Sequence, residues 1–135
     1  MANLSPTAAN VKRVSGSTFQ KIAGGTIARG DACYIKASDN KAYQGQCDGT
    51  AEEAEAIYIA LNDAAADQPV TLQKGGEVDM GAIFTVGVVY CLSATAGKIC
   101  PFADLVSTNR LTIIGAARTT SILRLAPCAP GAAIA

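Results

Sequence analysis

Residues 57–78 read IYIALNDAAADQPVTLQKGGEV, and this stretch decides the fold class. Ile57, Ile59 and Leu61 alternate with Tyr58 and Ala60, so the first set lines one face of a strand and the second set the other. A loop of small and polar residues, 62–69, follows. Val70 and Leu72 then resume the inward face, and Gly75-Gly76 turns the chain into a further strand at 77–80. The pattern predicts a β-hairpin. A shorter copy, LTIIGAARTTSILRLA, occupies residues 111–126.

The flanking sequence repeats as well. GDACYI at 30–35 resembles GVVYCL at 87–92, with Tyr34 and Tyr90 56 residues apart, and 57–60 matches 111–114 at an offset of 54. Further strands are predicted at 32–37, 41–44, 83–86, 88–93 and 98–100, with turns at Ser38-Asp39-Asn40 and Thr95-Ala96-Gly97. About ten short strands with turn signals between them indicate an all-β chain, an antiparallel sandwich or barrel-like domain. It is built from two repeats, about 26–80 and about 81–127, expected to bury one shared core. Residues 1–25 read as an extended N-terminal arm with little regular structure. Its anchors Val11, Val14, Phe19 and Ile22 follow neither a helical nor a strand period. That arm carries Lys12, Arg13 and Lys21, and no acid precedes Asp31. The last residues, PCAPGAAIA, form an apolar tail expected to pack on a neighbour or fray.

Composition narrows the function classes. Acidic and basic residues balance at 11 each, so no net field draws the chain to nucleic acid or an anionic membrane. The tyrosines do not interleave with the scattered basic residues as a stacking groove requires, and no nucleic-acid partner is expected. With 16% charged residues in 135, the chain suits a protein whose surface is partly covered by neighbours. No run of about 18 apolar residues is present to span a membrane, and the first 21 residues lack the apolar core of a signal peptide; synthesis in a cytoplasm is expected. There is no histidine, which removes histidine-based nucleophilic catalysis and the common zinc ligands together.

No phosphate-binding or dinucleotide glycine motif occurs. Acid pairs such as Asp31/Asp39 and Glu77/Asp79 lack an aromatic sugar platform. Neither an enzyme nor a cofactor, metal or small-molecule substrate is expected. The five cysteines (33, 47, 91, 100, 128) match no CxxC pattern and read as small buried hydrophobes, with a Cys91–Cys100 disulfide as the alternative. Thr50 and Glu53 stand at capping-box spacing in the acidic segment 48–55, which reads as one helical turn or an ordered loop. Arg29-Gly30-Asp31 reads as the turn before a strand rather than an adhesion motif.

In order, AGGTIARGDACYI from Ala23, IALNDAAADQPV, GGEVDMGAIFTVGVVYCLSATAGKICP and LTIIGAARTTSILRL resemble a family of tailed-bacteriophage capsid decoration (cement) proteins. The same family occurs in prophages as a protein of unknown function. The resemblance spans about residues 23–125. The chain departs from the family pattern at Tyr58, where glycine is frequent, and at Asp67, where Gly-Gln is usual; aspartate tolerates a left-handed backbone there. The resemblance implies a β-rich virion protein on the capsid exterior, usually trimeric, placed where capsomers meet and locking the shell. Its partners would be the major capsid protein and further copies of itself, with assembly in the host bacterial cytoplasm. It brings no catalytic residues.

Composition and position then nominate Lys12, Arg13, Phe19 and Lys21 for the capsid contact, and Ile122, Leu123, Leu125 and Ile134 for the subunit interface. The alternative is a head-fibre module that recognises a host receptor or glycan through loops 48–55 and 62–69.

Overall fold

The computed structural model describes residues 4, 10–50, 52–105 and 109–128. Among these residues, nine strands pair antiparallel into one sheet, curled strongly into a half-barrel. They are β1 (Lys12–Ile22), β2 (Ala32–Ile35), β3 (Ala42–Gln44), β4 (Tyr58–Ala60), β5 (Pro69–Asp79), β6 (Val89–Leu92), β7 (Ile99–Pro101), β8 (Ile113–Ala117) and β9 (Ile122–Cys128). One 3₁₀ turn, Phe102–Asp104, follows β7. The chain is all-β and barrel-like, as its alternation predicts.

The strand order β3-β2-β4-β5-β9-β8-β6-β7 reads the same from either end once the second four strands are matched to the first. Each half holds a strand paired on both sides, β2 or β6, and a hairpin that meets its counterpart along β5–β9. The two stretches first read as hairpins are β4–β5 and β8–β9.

The interior differs from the single shared core expected. Buried side chains form two clusters on opposite faces of the first half. The larger one gathers Tyr34, Ile59, Val78, Met80, Tyr90, Leu92, Ile114, Leu123 and Leu125 from both halves. The smaller gathers Ala23, Ile27, Cys33, Ala42, Ala60, Ala64, Val70 and Leu72, all from the first part of the chain. Strands β2 and β4 are apolar on both faces because both are covered. Val70 and Leu72 therefore lie opposite Ile59, in the smaller core with Ala60, which corrects the single inward face assigned to them.

Two further expectations change. Gly75-Gly76 does not end a strand: both residues sit inside β5 with φ of 73° and 74°, at a bulge in its pairing with β1. A Cβ on Gly76 would strike the Ser15 carbonyl, and one on Gly16 the Gly75 carbonyl, so this close approach needs glycine on both strands. The interrupted ladder is mended by Gln73, wholly buried, whose amide nitrogen donates to the carbonyls of Ser15 (2.6 Å), Gly75 (2.9 Å) and Glu77 (2.9 Å). Residues 83–86, expected as a strand, form no strand; Val88 N–H donates to Thr85 in a turn instead.

The arm is also more regular than its pattern suggests. Residues 12–22 form β1, paired with β5 from Lys12↔Asp79 to Ile22↔Pro69. Backbone pairing, with most side chains left exposed, holds this strand, so it has no apolar period to detect.

Candidate interaction surfaces

The four residues nominated for a capsid contact all lie on β1, and they do not converge. Lys12 and Lys21 stand roughly 30 Å apart at about 3.3 Å per residue. Lys12 and Arg13 are exposed at one end, where Arg13 reaches back to the Gly16 carbonyl at 3.4 Å. At the other end Lys21 donates to the Asn40 side chain at 3.0 Å. Phe19 is half-buried, its ring edge-on to Tyr58 with centroids 5.0 Å apart, and it packs on the smaller core. Its aromatic face is largely taken up within the chain.

The nominated subunit interface is corrected more sharply. Leu123 is wholly buried and Leu125 only 6% exposed, both within the larger core. Their strand, β9, is flanked by β5 and β8, which leaves no free edge along these residues. Alternation identified them as core-facing, but the inward face belongs to their own chain. Ile122 is half-buried, and Ile134 falls outside the described residues. On the outer side of the β5–β9 seam, Glu77 is paired with Arg118 and lies 3.7 Å from Arg124.

The Arg-Gly-Asp turn is structural. Gly30 adopts a φ of 96°, and the Asp31 carboxylate, 2% exposed, accepts from Ala28 N–H at 2.9 Å and from Gln44, with Lys98 at 3.9 Å. The acidic segment keeps its capping box: Thr50 N–H donates to Glu53 at 3.1 Å, and Glu53 N–H returns to the Thr50 hydroxyl at 3.2 Å. Cys33, Cys47, Cys91 and Cys100 are buried free thiols, although Cys91 and Cys100 face each other across β6–β7. Burial pushes Cys47 and Cys100 up to about 11 and Cys91 up to about 12, and raises Cys33 further, with the Asp31 charge assisting. Among the described residues, no three metal-ligating side chains gather, and no helix is long and apolar enough to cross a membrane.

One surface was not anticipated. Val88, Val89, Pro101, Phe102, Ala103 and Ile113 line an open apolar groove of about 500 Å³ on the second half. Val89 is 38% exposed and Phe102 50%, and Val86, just upstream, is 58% exposed. Period-two alternation places Val86, Val88, Tyr90 and Leu92 on one face. The turn at 85–88 takes Val86 out of that set, whereas Val88 packs partly against the larger core and Tyr90 and Leu92 are buried in it. The adjacent valines at 88–89 were the available signal, because two successive apolar residues in a strand cannot share a face.

Comparison with known proteins found no match among family models, curated proteins or solved structures.

Proposed function

We propose that this chain is a structural virion protein that binds the outer surface of a tailed-phage capsid and stabilises the shell by bridging capsomers as a homo-oligomer. The resemblance over residues 23–125 gives the class. The observation that carries the proposal to a surface is β1: an eleven-residue strand tied to β5 by its backbone, with Lys12 to Thr18 all exposed. A strand held this way presents its side chains without a further backbone-ordering cost, and its basic end suits an acidic shell. Each contact is small. An oligomer touching several capsomers gains avidity through effective concentration.

Removing the whole arm would strip β5 of one of its three partners and take Val11 from the core, so charge reversal is the cleaner test. Lys12→Glu with Arg13→Glu should reduce occupancy on expanded empty shells at least tenfold in co-sedimentation, while the exposed positions leave stability within about 0.5 kcal/mol. Full occupancy by the double variant would refute the role of β1. Binding of the unmodified protein to host cells instead of shells would replace the proposal with a receptor-recognising head fibre.

A further inference from the structure

Strand β1 has a second, open edge. Among the described residues β5 is its only partner, whereas β5 is paired on both sides, with β1 on one and with β4 and then β9 on the other. Leu61 N–H donates to the Thr71 carbonyl at 2.8 Å, and Thr71 N–H donates to the Asn62 side chain at 2.6 Å. The backbone groups of Thr71 therefore face away from β1. Thr71 lies opposite Gln20, and in an antiparallel ladder such a pair turns the groups of both residues outward. Pro69 opposite Ile22 agrees, because it has no N–H to give to β1. The register runs unbroken from Ser17 to Ile22, so Thr18, Gln20 and Ile22, all exposed, each aim an N–H and a carbonyl at the open side.

Charge and shape narrow what fits there. The edge carries Lys21, Lys74 of β5 stands opposite Ser17, and no acid precedes Asp31 in the sequence. The nearby Asp67 is already held by Lys41 at 2.9 Å. These charges oppose a second copy. An antiparallel match of the whole strand would set Arg13 opposite Lys21, and a parallel one would set each cation beside its own counterpart. Alongside the edge, Gln20, Lys21, Ile22, Asn40 and Pro69 line an open hollow of about 350 Å³. Upstream, Asn10 lies beside Gly81, beyond the Lys12 end of β1, and Leu4 N–H donates to Ile99 of β7 at 2.9 Å. Neither covers the edge at 17–22.

We propose that this edge takes an extended, acid-bearing segment of the shell's own protein as a further strand of the sheet. The inference rests on the proposed placement of β1 against the capsid and specifies the contact: backbone bonds at Thr18, Gln20 and Ile22 hold the segment, and its carboxylates meet Lys21. The same cations keep copies of the chain from pairing edge to edge.

Hydrogen exchange resolved to single amides, on the unbound protein and on protein bound to expanded empty shells, tests this. The Thr18, Gln20 and Ile22 amides should exchange freely in the unbound protein and slow by about tenfold or more on the shell. Those of Phe19 and Lys21, turned toward β5, should be protected in both. Shell binding that leaves the three amides unprotected overturns strand addition and leaves β1 to bind through side chains alone. Absence of shell binding removes both this inference and the function beneath it. Protection already present in the unbound protein also overturns it: if lost on dilution it marks a second copy, and if not, another segment of the same chain. Independently, Gln20→Pro removes an outward donor and no bond to β5, whereas Gln20→Ala keeps that donor. With the β5 amides still protected, the proline variant should occupy shells about tenfold less than the alanine variant. Equal occupancy overturns the backbone pairing. Lys21→Glu should lower occupancy by a similar factor, and unchanged occupancy overturns the acidic occupant.

Discussion

The two halves of the sheet share a strand order and differ in what lies outside it. In the first half, β2 and β4 are sandwiched: Tyr34 and Ile59 face the larger core, Cys33 and Ala60 the smaller one. In the second half, Tyr90 and Ile114 face the same larger core, but Val89 opens on solvent. The smaller core exists because the chain before and after β2 supplies a cover, with Ala23 bridging to Ala42 and Ile27 to Ala64. A duplicated unit thus acquires two surfaces of different character from one topology. One is a closed face backed by the basic strand β1, and the other is an apolar groove.

Alkaline pH should strain both halves at once, and this is the largest effect expected. The folded thiols keep their protons up to about 11 for Cys47 and Cys100 and about 12 for Cys91, whereas an unfolded thiol ionises near 8.5. Between roughly pH 9 and 11 the unfolded chain therefore binds fewer protons than the folded one. Stability falls as pH rises through that window and is unaffected below it. Each thiol contributes up to about 1.4 kcal/mol per pH unit, so several together should lower stability steeply across that window. Denaturant midpoints measured from pH 7 to 10.5 would show the decline. Cys33→Ala, which acts on the smaller core alone, should shallow it. A flat profile would mean that the thiols are far less secluded than the two cores imply.

The next contrast is between two glycines. Gly76→Val should cost about 3–5 kcal/mol, since a φ of 74° disfavours a branched side chain and the Ser15 carbonyl blocks its Cβ. Gly87→Ala, in the turn before β6, has a φ of 84° but open space around the new Cβ, so strain alone remains, about 1 kcal/mol. Urea unfolding of both variants reads the difference. Equal costs would show that the β1–β5 crossing contributes no constraint beyond backbone strain.

Much of this was legible because local chemistry spoke for itself. The hairpins followed from alternation and the repeat from Tyr34 and Tyr90. Asp67 has a positive φ (70°), the left-handed backbone that aspartate tolerates, and Thr50 and Glu53 form their box. What stayed hidden depends on long-range context. Gly75-Gly76 announces positive φ, which a turn and a bulge both require, so the residues could not distinguish them. Strand β1 shows no period because β5's backbone holds it. Leu123 and Leu125 were assigned to a neighbour because a sequence shows which side chains seek burial, not which chain buries them. The groove at Val89 was missed because alternation puts that side chain on the outer face without showing whether anything covers it.

The smallest expected effect concerns the seam that joins the halves. Glu77, on β5, faces Arg124 of β9 in the register and also meets Arg118, giving the only ion pairs that cross between the halves at β5–β9 among the described residues. Both arginines are substantially exposed and the carboxylate only 18%, so water and salt screen the attraction from one side. Glu77→Gln should cost about 0.5–1 kcal/mol, and less at 0.5 M salt, in a denaturation midpoint. Beneath that pair, Val78 and Leu123 oppose each other in the wholly buried larger core, where truncating either would cost several-fold more. A Glu77→Gln loss approaching that of Leu123→Ala would reverse the ranking and make charge, rather than the common apolar interior, what keeps the two repeats in one sheet.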